Sequence, residues 1–511
     1  MSKEPEIENE VDSEKCNKGQ KDFYQFICDW IKNRADNEPI YSILSGRAGC
    51  GKTFVVKCIQ KFIRDNNCKQ GFLKLAAPTG AAAFLIKGTT LHALFDLPVH
   101  LSFHLELPAL TGSRLQNLQE TFENTEILII DEMSMVGQYM LYQINERLKQ
   151  AKPNKSTIAF AGVSIVLMGD FAQLPPVTDS PLYAAKDKTG KDKTKYQILG
   201  RKLYMDLFNK CYTLTESMRQ IGEDQETFRD ILDKVATGMF DGKTRETLKA
   251  KTVIMDSQRA NDQFKDAVKL CAYNKDAKSF NIKKLKDLKN PVALISAENS
   301  TPQAKKALAN KAGGLHNNTI ICKDSKVMLL ANLWKEQGLT NGANGFVRYI
   351  IYDENLRPPK LPTCVLVYFP QYTGPSFFPD DPTKEKLVPI VPVQRSWYEK
   401  TKEHQRIMLP LIPSYAISIH KSQGQTLDKI ILNIGIKEFA PGLTYTALSR
   451  AKKLENIAFD PFPQVNRIED IKNKYMFGIR LIEERRLRDK EKERQENEKD
   501  LGFRDIAEEI V

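Results

Sequence analysis

A chain of 511 residues with 41% hydrophobic and 27% charged residues has the composition of an ordinary globular protein and room for several domains. That balance excludes a fibrous or wholly disordered chain. Lys and Arg outnumber Asp and Glu by 76 to 64, a net charge of +12, which suits a polyanionic partner but is also shared by many Lys-rich proteins. The nine cysteines are scattered and never form CxxC, so neither a zinc site nor a disulfide framework is indicated and a reducing, intracellular compartment is expected. That compartment would be the nucleus in a eukaryote, or the cytoplasm for a viral or bacterial source. The opening MSKEPEIENEVDSEK lacks the features of a signal or transit peptide, and no apolar run reaches membrane-spanning length, so no membrane role is expected.

Residues 1–17 carry no hydrophobic periodicity and are expected to form a disordered tail. From Asn17, Phe23, Phe26, Ile27, Trp30 and Ile31 recur at helical spacing. Gln20 stands at the entrance of this helix, where a Gln either reads an adenine edge or is a solvated first-turn residue; spacing does not separate the two. The run YSIL then leads into GRAGCGKT, the pattern GxxxxGK[ST]. Gly46, Arg47, Ala48, Gly49, Cys50 and Gly51 form a loop whose glycines let backbone N–H groups turn inward, and a helix N-terminus follows. Lys52 would reach the β- and γ-phosphates of a nucleotide, and the Thr53 hydroxyl would join a Mg²⁺ shell.

GFLKLAA, residues 71–77, reads as a buried strand before APTGAAAFLIKGTTLHALF, where Thr79, Gly80, Thr89, Thr90 and His92 could donate to sugar-phosphate oxygens. Capping and helix–sheet packing are the alternative. Residues 96–117 hold prolines and no clean period, so they look like a projecting insertion. TEILIIDEMSMV is a buried strand ending in Asp131, placed to hold Mg²⁺, and Glu132, placed to polarise an attacking water. SIVLMGDFAQLPPV is a second such strand, and Gln173 could contact the γ-phosphate. Strands alternating with helices imply a doubly wound parallel sheet with its site at the strand ends.

Further on, the Lys-rich stretch 184–196 reads as a solvated loop, and CYTLTESMRQ offers Arg219 after a strand. KLCAYN, PVALISA and KVMLL, the last leading to an NGANG turn, suggest a second α/β domain. Residues 346–412, rich in Val, Tyr, Phe and Pro, read as a small β module inserted into it. PSYAISIHKSQGQTL then presents His420, Lys421, Ser422 and Gln423 before a turn at Gly424. LTYTALSRAKK ends a helix with Arg450, and residues 476–511 form a charged helix expected to be solvated or partner-binding.

In that order, GRAGCGKT, APTGAAA with GTTLHAL, IIDEMSMV, GDFAQLPPV, LTESMRQ, NGANG, HKSQGQTL and YTALSRA resemble the PIF/RecD-like DNA helicases of superfamily one over residues 17–460. The resemblance implies an α/β protein with two RecA-like P-loop domains, a wedge insertion at 96–117 and an SH3-like β insertion at 346–412. It divides the chain into a first domain at 18–210, a second at 211–345 and 413–475, and the C-terminal tail. It further implies ATP and Mg²⁺ as cofactors, with Gln20 and the loop 46–53 on the nucleotide and Gly424 contributing. Thr53 and Asp131 would hold the metal, Glu132 would activate water, and Lys52 and Gln173 would act on the phosphates. Arg219 and Arg450 would reach across the cleft from the second domain.

The activity implied is 5′-to-3′ translocation on single-stranded DNA and unwinding of forked duplex, in replication, repair, recombination or telomere maintenance. Thr79, Gly80, Thr89, Thr90, His92 and residues 420–423 would touch the strand. A monomer is expected, with protein partners through the tails. The alternatives are a helicase directed at RNA–DNA hybrids and a P-loop ATPase scaffold without helicase activity.

Overall fold

The structure is a computed structural model and describes residues 12–34, 38–98, 102–186, 192–220, 222, 225–253, 262–309, 311–399, 402–464 and 471–509. The expected disorder of residues 1–11, the tip of the projecting segment at 99–101 and the centre of the Lys-rich loop at 187–191 lie outside the described residues. The chain divides into two compact units: Met1–Ala250 with Ile436–Glu455 and Pro463–Val511, and Lys251–Gly435 with Asn456–Phe462.

The first unit is built on an all-parallel sheet of β1 (Tyr41–Gly46), β2 (Leu73–Ala77), β3 (Thr89–Thr90), β4 (Ile127–Ile130), β5 (Ser164–Gly169) and β6 (Lys210–Leu214), ordered β3-β2-β4-β5-β1-β6. Alternation along the strands feeds two cores. Leu44, Ile127, Ile129, Val166 and Met168 pack with Phe23, Ile27, Val55 and Ile59 on one face. Ile43, Leu128, Ile130, Ile165 and Leu167 pack with Leu141, Ile144, Leu148 and Tyr204 on the other. Each such side chain contributes about 1.5–3 kcal/mol on burial, which is why strands covered on both faces read as unbroken apolar runs. The parallel register brings Gly46, Asp131 and Asp170 out together at the carboxyl ends of β1, β4 and β5.

Several boundaries differ from those expected. β6 pairs with β1, from Ser42↔Lys210 to Gly46↔Leu214, so residues 211–250 belong to the first unit. Residues 12–17 are ordered: Asp12 caps a short helical turn, Ser13–Lys15, and Asn17 caps the helix Lys18–Lys32 through a reciprocal pair with Gln20. At the far end of the projecting segment, the helix Gly112–Phe122 sends Leu118 and Phe122 into the core, and buried Arg147 donates to the carbonyls of Phe95 and Pro108. In the Lys-rich loop, Lys193 donates to Gln138 Oε1 at 2.7 Å and Thr194 caps the helix Lys195–Leu207.

The C-terminal helix, Tyr475–Glu509, is not a solvated tail along its first half. Phe477, Arg480, Glu483 and Leu487 recur on one buried face. Further along, Glu491 accepts from the Thr213 N–H at 2.9 Å, and Arg494 donates to the Cys211 carbonyl at 3.2 Å and lies over the Tyr212 ring. These side chains occupy the outer backbone groups of β6, the edge strand, which would otherwise be open to pairing.

The second unit contains β7 (Val268–Cys271), β8 (Ala293–Ser296), β9 (Glu298–Asn299), β10 (Asn318–Ile321), β11 (Lys326–Leu329), β12 (Asn344–Ile351), β13 (Cys364–Tyr368), β14 (Leu387–Ile390), β15 (Val393–Glu399), β16 (Lys402–Met408), β17 (Leu411–Pro413), β18 (Ala416–Ser418), β19 (Ile430–Asn433) and β20 (Ile457–Phe459). Four of them form a parallel sheet, β18-β7-β19-β20, so both units are α/β in their central sheets. The β module is larger than expected. Its five-stranded antiparallel sheet, β14-β13-β12-β11-β17, takes in β11, because the NGANG turn joins β11 to β12 and both arms of a hairpin share a sheet. Its core includes Val327, Val347, Val365, Val367 and Leu411.

Candidate active site

β1 runs into the loop 46–51, and the loop into the helix Lys52–Asp65. Gly49 and Gly51 take φ of +92° and +77°, where a side chain would be strained. Gly46 is needed for space, since a Cβ there would stand 2.9 Å from the Leu214 carbonyl oxygen. The result is a tightly turned backbone leading into the first turn of a helix, at the positive end of its dipole. Lys52 Nζ donates to the carbonyls of Gly46 at 2.6 Å and Arg47 at 3.1 Å, which holds the amine over the loop. Thr53 follows in the same first turn, half-buried.

Gln20, expected at the nucleotide, also links the first helix to the loop. It is 0% exposed; its Oε1 accepts from the Asn17 N–H at 3.1 Å and its Nε2 donates to the Cys50 carbonyl at 3.1 Å. These bonds use one of the two acceptor sites of Oε1 and one of the two Nε2 hydrogens, and through them the side chain ties the helix cap to the loop.

Asp131 and Glu132 leave the end of β4 buried, at 9% and 7% exposed. Glu132 takes φ +54°, ψ +47°, a left-handed conformation that costs about 1–3 kcal/mol in a residue with a side chain. Its N–H donates to Asp131 Oδ1 at 2.7 Å. Burial, then the adjacent Glu132 carboxylate, pushes the Asp131 carboxyl up to about 7, with Lys52 opposing. Two crowded carboxyl groups form a corner that a hard divalent cation would relieve. Among the described residues no cluster of three His, Cys, Asp or Glu is arranged for a metal. The Asp131 carboxylate and the Thr53 hydroxyl are hard oxygen donors of the kind that, with phosphates and water, would suit Mg²⁺.

Gln173 is buried, and its Oε1 accepts from Arg450 Nη2 at 3.2 Å. Arg450, 1% exposed, also donates to the Thr446 carbonyl at 2.9 Å and to Ser449 Oγ at 2.8 Å. Arg219 donates to the Ser449 carbonyl at 2.7 Å. Burial, then the charge of Arg450, pulls Arg219 down to about 10; burial lowers Arg450 too, and Glu132 opposes that shift. Two crowded guanidiniums are a concentration of positive charge suited to a polyphosphate.

Both arginines belong to the compact unit that carries the phosphate loop, not to the other unit. Arg219 follows β6, a strand of the first sheet. Arg450 follows the helix Leu443–Leu448, whose cap Gly442 sits at φ +86° where a Cβ would lie 2.8 Å from the Gln173 carbonyl oxygen.

Tyr445 and Asp170 escaped the sequence reading. The Tyr445 hydroxyl donates to Asp170 Oδ2 at 2.6 Å and accepts from the Ala48 N–H at 3.2 Å, tying the end of β5 to the phosphate loop. Burial and Asp170 hold the phenol far above its ordinary range. The tyrosine in YTALSR and the aspartate in GDFAQ were the only signals.

The residues expected on nucleic acid fall in both units. In the first, Thr79 Oγ1 accepts from the Ala82 N–H at 3.3 Å and Thr90 Oγ1 from the Ala93 N–H at 3.4 Å, so both cap helices; with Gly80, Thr89 and His92 they are half-buried at the β2–β3 edge. In the second unit, residues 419–422 form a helical turn after β18. Ser422 and Gln423 are buried, and Ser422 Oγ donates to the Ile419 carbonyl at 2.8 Å, so Ser422 stabilises the turn. His420 is half-buried and lowered by burial; Lys421 is exposed, and Gly424 closes the turn at φ +81°. His316, unnoticed in the sequence, is held down to about 4 by burial, Lys421, Arg406 and Lys278.

A family model described as PIF1-like helicase matches residues 15–246. The ATP-dependent DNA helicase PIF1 of Danio rerio is 28% identical over 82% of this chain and 58% of its own length. The ATP-dependent DNA helicase Pif1 of Bdellovibrio bacteriovorus is 27% identical over 82% of this chain and 84% of its own. Pif1 helicase from Candida albicans superposes with a TM-score of 0.64 at 23% identity, covering 90% of this chain and 98% of that one. Bacteroides Pif1 bound to ssDNA gives 0.62 at 22% identity, covering 87% and 92%. The chain thus spans under two thirds of the length of its vertebrate relatives, and the structural likenesses speak to the fold. The family model covers residues 15–246, under half of the chain; with these relatives it makes the chain similar to the PIF1-like helicases, and the solved structures show the same fold.

Proposed function

We propose that this chain is an ATP-dependent DNA helicase that translocates 5′ to 3′ on single-stranded DNA and unwinds forked duplex. The observation that carries the reading is that one compact unit holds the phosphate loop, the Asp131–Glu132 corner, Gln173 and the two arginines, the parts needed for phosphoryl transfer. The relatives named ATP-dependent DNA helicases and the Bacteroides Pif1 complex with ADP-AlF3 and ssDNA support it.

Phosphoryl transfer needs charge neutralisation more than covalent help. Lys52 and the N–H groups of residues 49–53 would bind the phosphates, Thr53 and Asp131 would hold Mg²⁺, and Glu132 would orient water. Bound Mg²⁺ would neutralise the terminal phosphates. Gln173 and Arg450, already bonded to each other, would sense the γ-phosphate as a pair. Gln20, which supports the loop through Cys50, would read the adenine with its remaining donor and acceptor. On the strand, Lys421, His420, Thr89 and His92 are the candidate contacts.

The test is unwinding of duplexes with 5′ or 3′ tails, in DNA and in RNA–DNA hybrids, with ATP and Mg²⁺. Unwinding restricted to 5′-tailed DNA is expected. Preference for 3′ tails would overturn the polarity, and ATP hydrolysis indifferent to any strand would favour a scaffold ATPase.

A further inference from the structure

Arg47, the second residue of the phosphate loop, meets three carboxylates. Its guanidinium lies 3.4 Å from Asp170 at the end of β5, 3.3 Å from Asp233 on the helix Glu226–Thr237, and 3.4 Å from Glu484 on the C-terminal helix. Asp233 is exposed, whereas the side chains of Asp170 and Glu484 are 3% and 11% exposed. An exposed pair contributes little, so the two buried carboxylates decide where Arg47 sits. Glu484 in turn stands 3.6 Å from Arg480, itself buried over the Phe477 ring and donating to the Ala236 carbonyl. Asp170, Arg47, Glu484 and Arg480 thus alternate in sign through a poorly solvated region; burial pulls the Arg47 guanidinium down, and the charges of Asp170 and Glu484, with Tyr445 and Asp233, more than offset it and hold it well above its usual range.

The helix that presents Glu484 is fixed. The Tyr204 hydroxyl donates to Glu483 Oε1 at 2.5 Å, and Leu487 lies in the core. The other end of the connection is the loop itself, where the Arg47 carbonyl accepts from Lys52 and the next N–H, that of Ala48, reaches Tyr445.

We propose that Glu484 is a positioning residue for the phosphate loop, acting through Arg47, so that the C-terminal helix is part of the nucleotide-binding apparatus. The inference rests on the reading of the loop as an ATP site. Neutralising Glu484 leaves Arg47 and Arg480 facing each other without the carboxylate between them. The Arg47 backbone, and with it the register of the loop, would relax away from the phosphate-binding arrangement. Glu484 touches no reacting atom, so the effect should fall on nucleotide binding and not on the chemical step.

The experiment compares the full chain with Glu484→Gln, Glu483→Gln, Arg47→Ala and the double variant Arg47→Ala/Glu484→Gln. Binding of a fluorescent ADP analogue, KM and kcat of DNA-stimulated ATP hydrolysis, and Tm are measured. Glu484→Gln should weaken ADP binding and raise KM roughly tenfold, the scale of one charge-assisted hydrogen bond, with kcat little changed. Glu483→Gln, which loosens the same helix without touching the loop, should lower Tm and leave nucleotide affinity as it was. In the Arg47→Ala background, Glu484→Gln should have no further effect on affinity. Wild-type affinity in Glu484→Gln, or an undiminished loss in the Arg47→Ala background, would overturn the inference while leaving the ATPase reading intact. A wild-type chain that binds no nucleotide would sink both.

Discussion

Arg450 reaches Gln173 at 3.2 Å while its Nε holds the Thr446 carbonyl at 2.9 Å, so the guanidinium is fixed from two sides. A buried arginine fixed in this way loses little side-chain freedom on meeting a ligand, which is what preorganised charge stabilisation requires.

Arg450→Ala and Arg219→Ala should therefore lower DNA-stimulated ATP hydrolysis by roughly a thousandfold or more, as for arginines that stabilise a phosphoryl transition state. Since truncating Arg450 also leaves buried acceptors unpaired, the Lys variants are the cleaner comparison. They keep a charge but lose the fork, and most of the rate should be lost with them. Steady-state hydrolysis decides it; near wild-type rates in either Lys variant would remove that arginine from the machinery.

Lys52→Ala and Glu132→Gln should both abolish turnover and differ in binding. Lys52 lies over the loop and would supply a phosphate contact, whereas Glu132 stands past the end of β4 and would act on water. ATP should still bind Glu132→Gln tightly and bind Lys52→Ala weakly. Nucleotide titration of the two proteins checks this, and substantial turnover by Glu132→Gln would reassign the base.

Leu487→Ala should destabilise the first unit by about 2–5 kcal/mol, the usual cost of truncating a core leucine. A solvated helix would register almost nothing. Chemical denaturation of the two proteins separates these outcomes.

That last case shows where sequence reasoning stopped. The glycine loop after β1, β4 before Asp131 and Glu132, and β5 before Gln173 are legible because strands buried on both faces are apolar without interruption and their ends are marked by polar residues. The packed face of the C-terminal helix is not legible in the sequence because only Phe477 and Leu487 on it are apolar and buried, while buried Arg480 and Glu483 and half-buried Glu484, Glu491 and Arg494 meet polar groups and break the apolar periodicity. β6 was assigned to the wrong unit because a short edge strand looks the same in either sheet, and pairing with β1 is a long-range fact. Gln20 and Ser422 were recognised as polar residues in motifs, but nothing local says that such a side chain faces its own backbone.

His316 gives a pH dependence with a defined sign. Its folded-state pKa of about 4 lies below the ordinary histidine value because of burial and the charges of Lys421, Arg406 and Lys278. Between about pH 4 and 6.5 the unfolded chain binds the proton that the folded chain refuses. The stability it contributes is fully present above that window and is lost as pH falls through it. Thermal unfolding followed from pH 7 to 4 should show this loss, and His316→Gln should flatten it. An unchanged profile in His316→Gln would place the acid sensitivity elsewhere.

Lys421 is the exposed cation of the turn 419–422, presented outward by buried Ile419, Ser422 and Gln423, and burial of its surroundings lowers its amine. A lysine so placed is suited to one phosphate of a single strand, a contact that carries no sequence information and is paid for by released counterions. Lys421→Ala should weaken single-strand binding to all sequences alike and reduce the slope of log K against log salt by roughly 0.7, the single-strand value for one phosphate. Hydrolysis without DNA should change little, because the residue lies in the second unit and the phosphate loop in the first, whereas stimulation by single strands should fall. Loss of the Lys421 charge should also ease His316 toward its ordinary pKa, so the acid loss of stability should shrink in the same variant. Full DNA stimulation together with an unchanged salt slope would show that the turn is a helix entrance with no part in holding the strand.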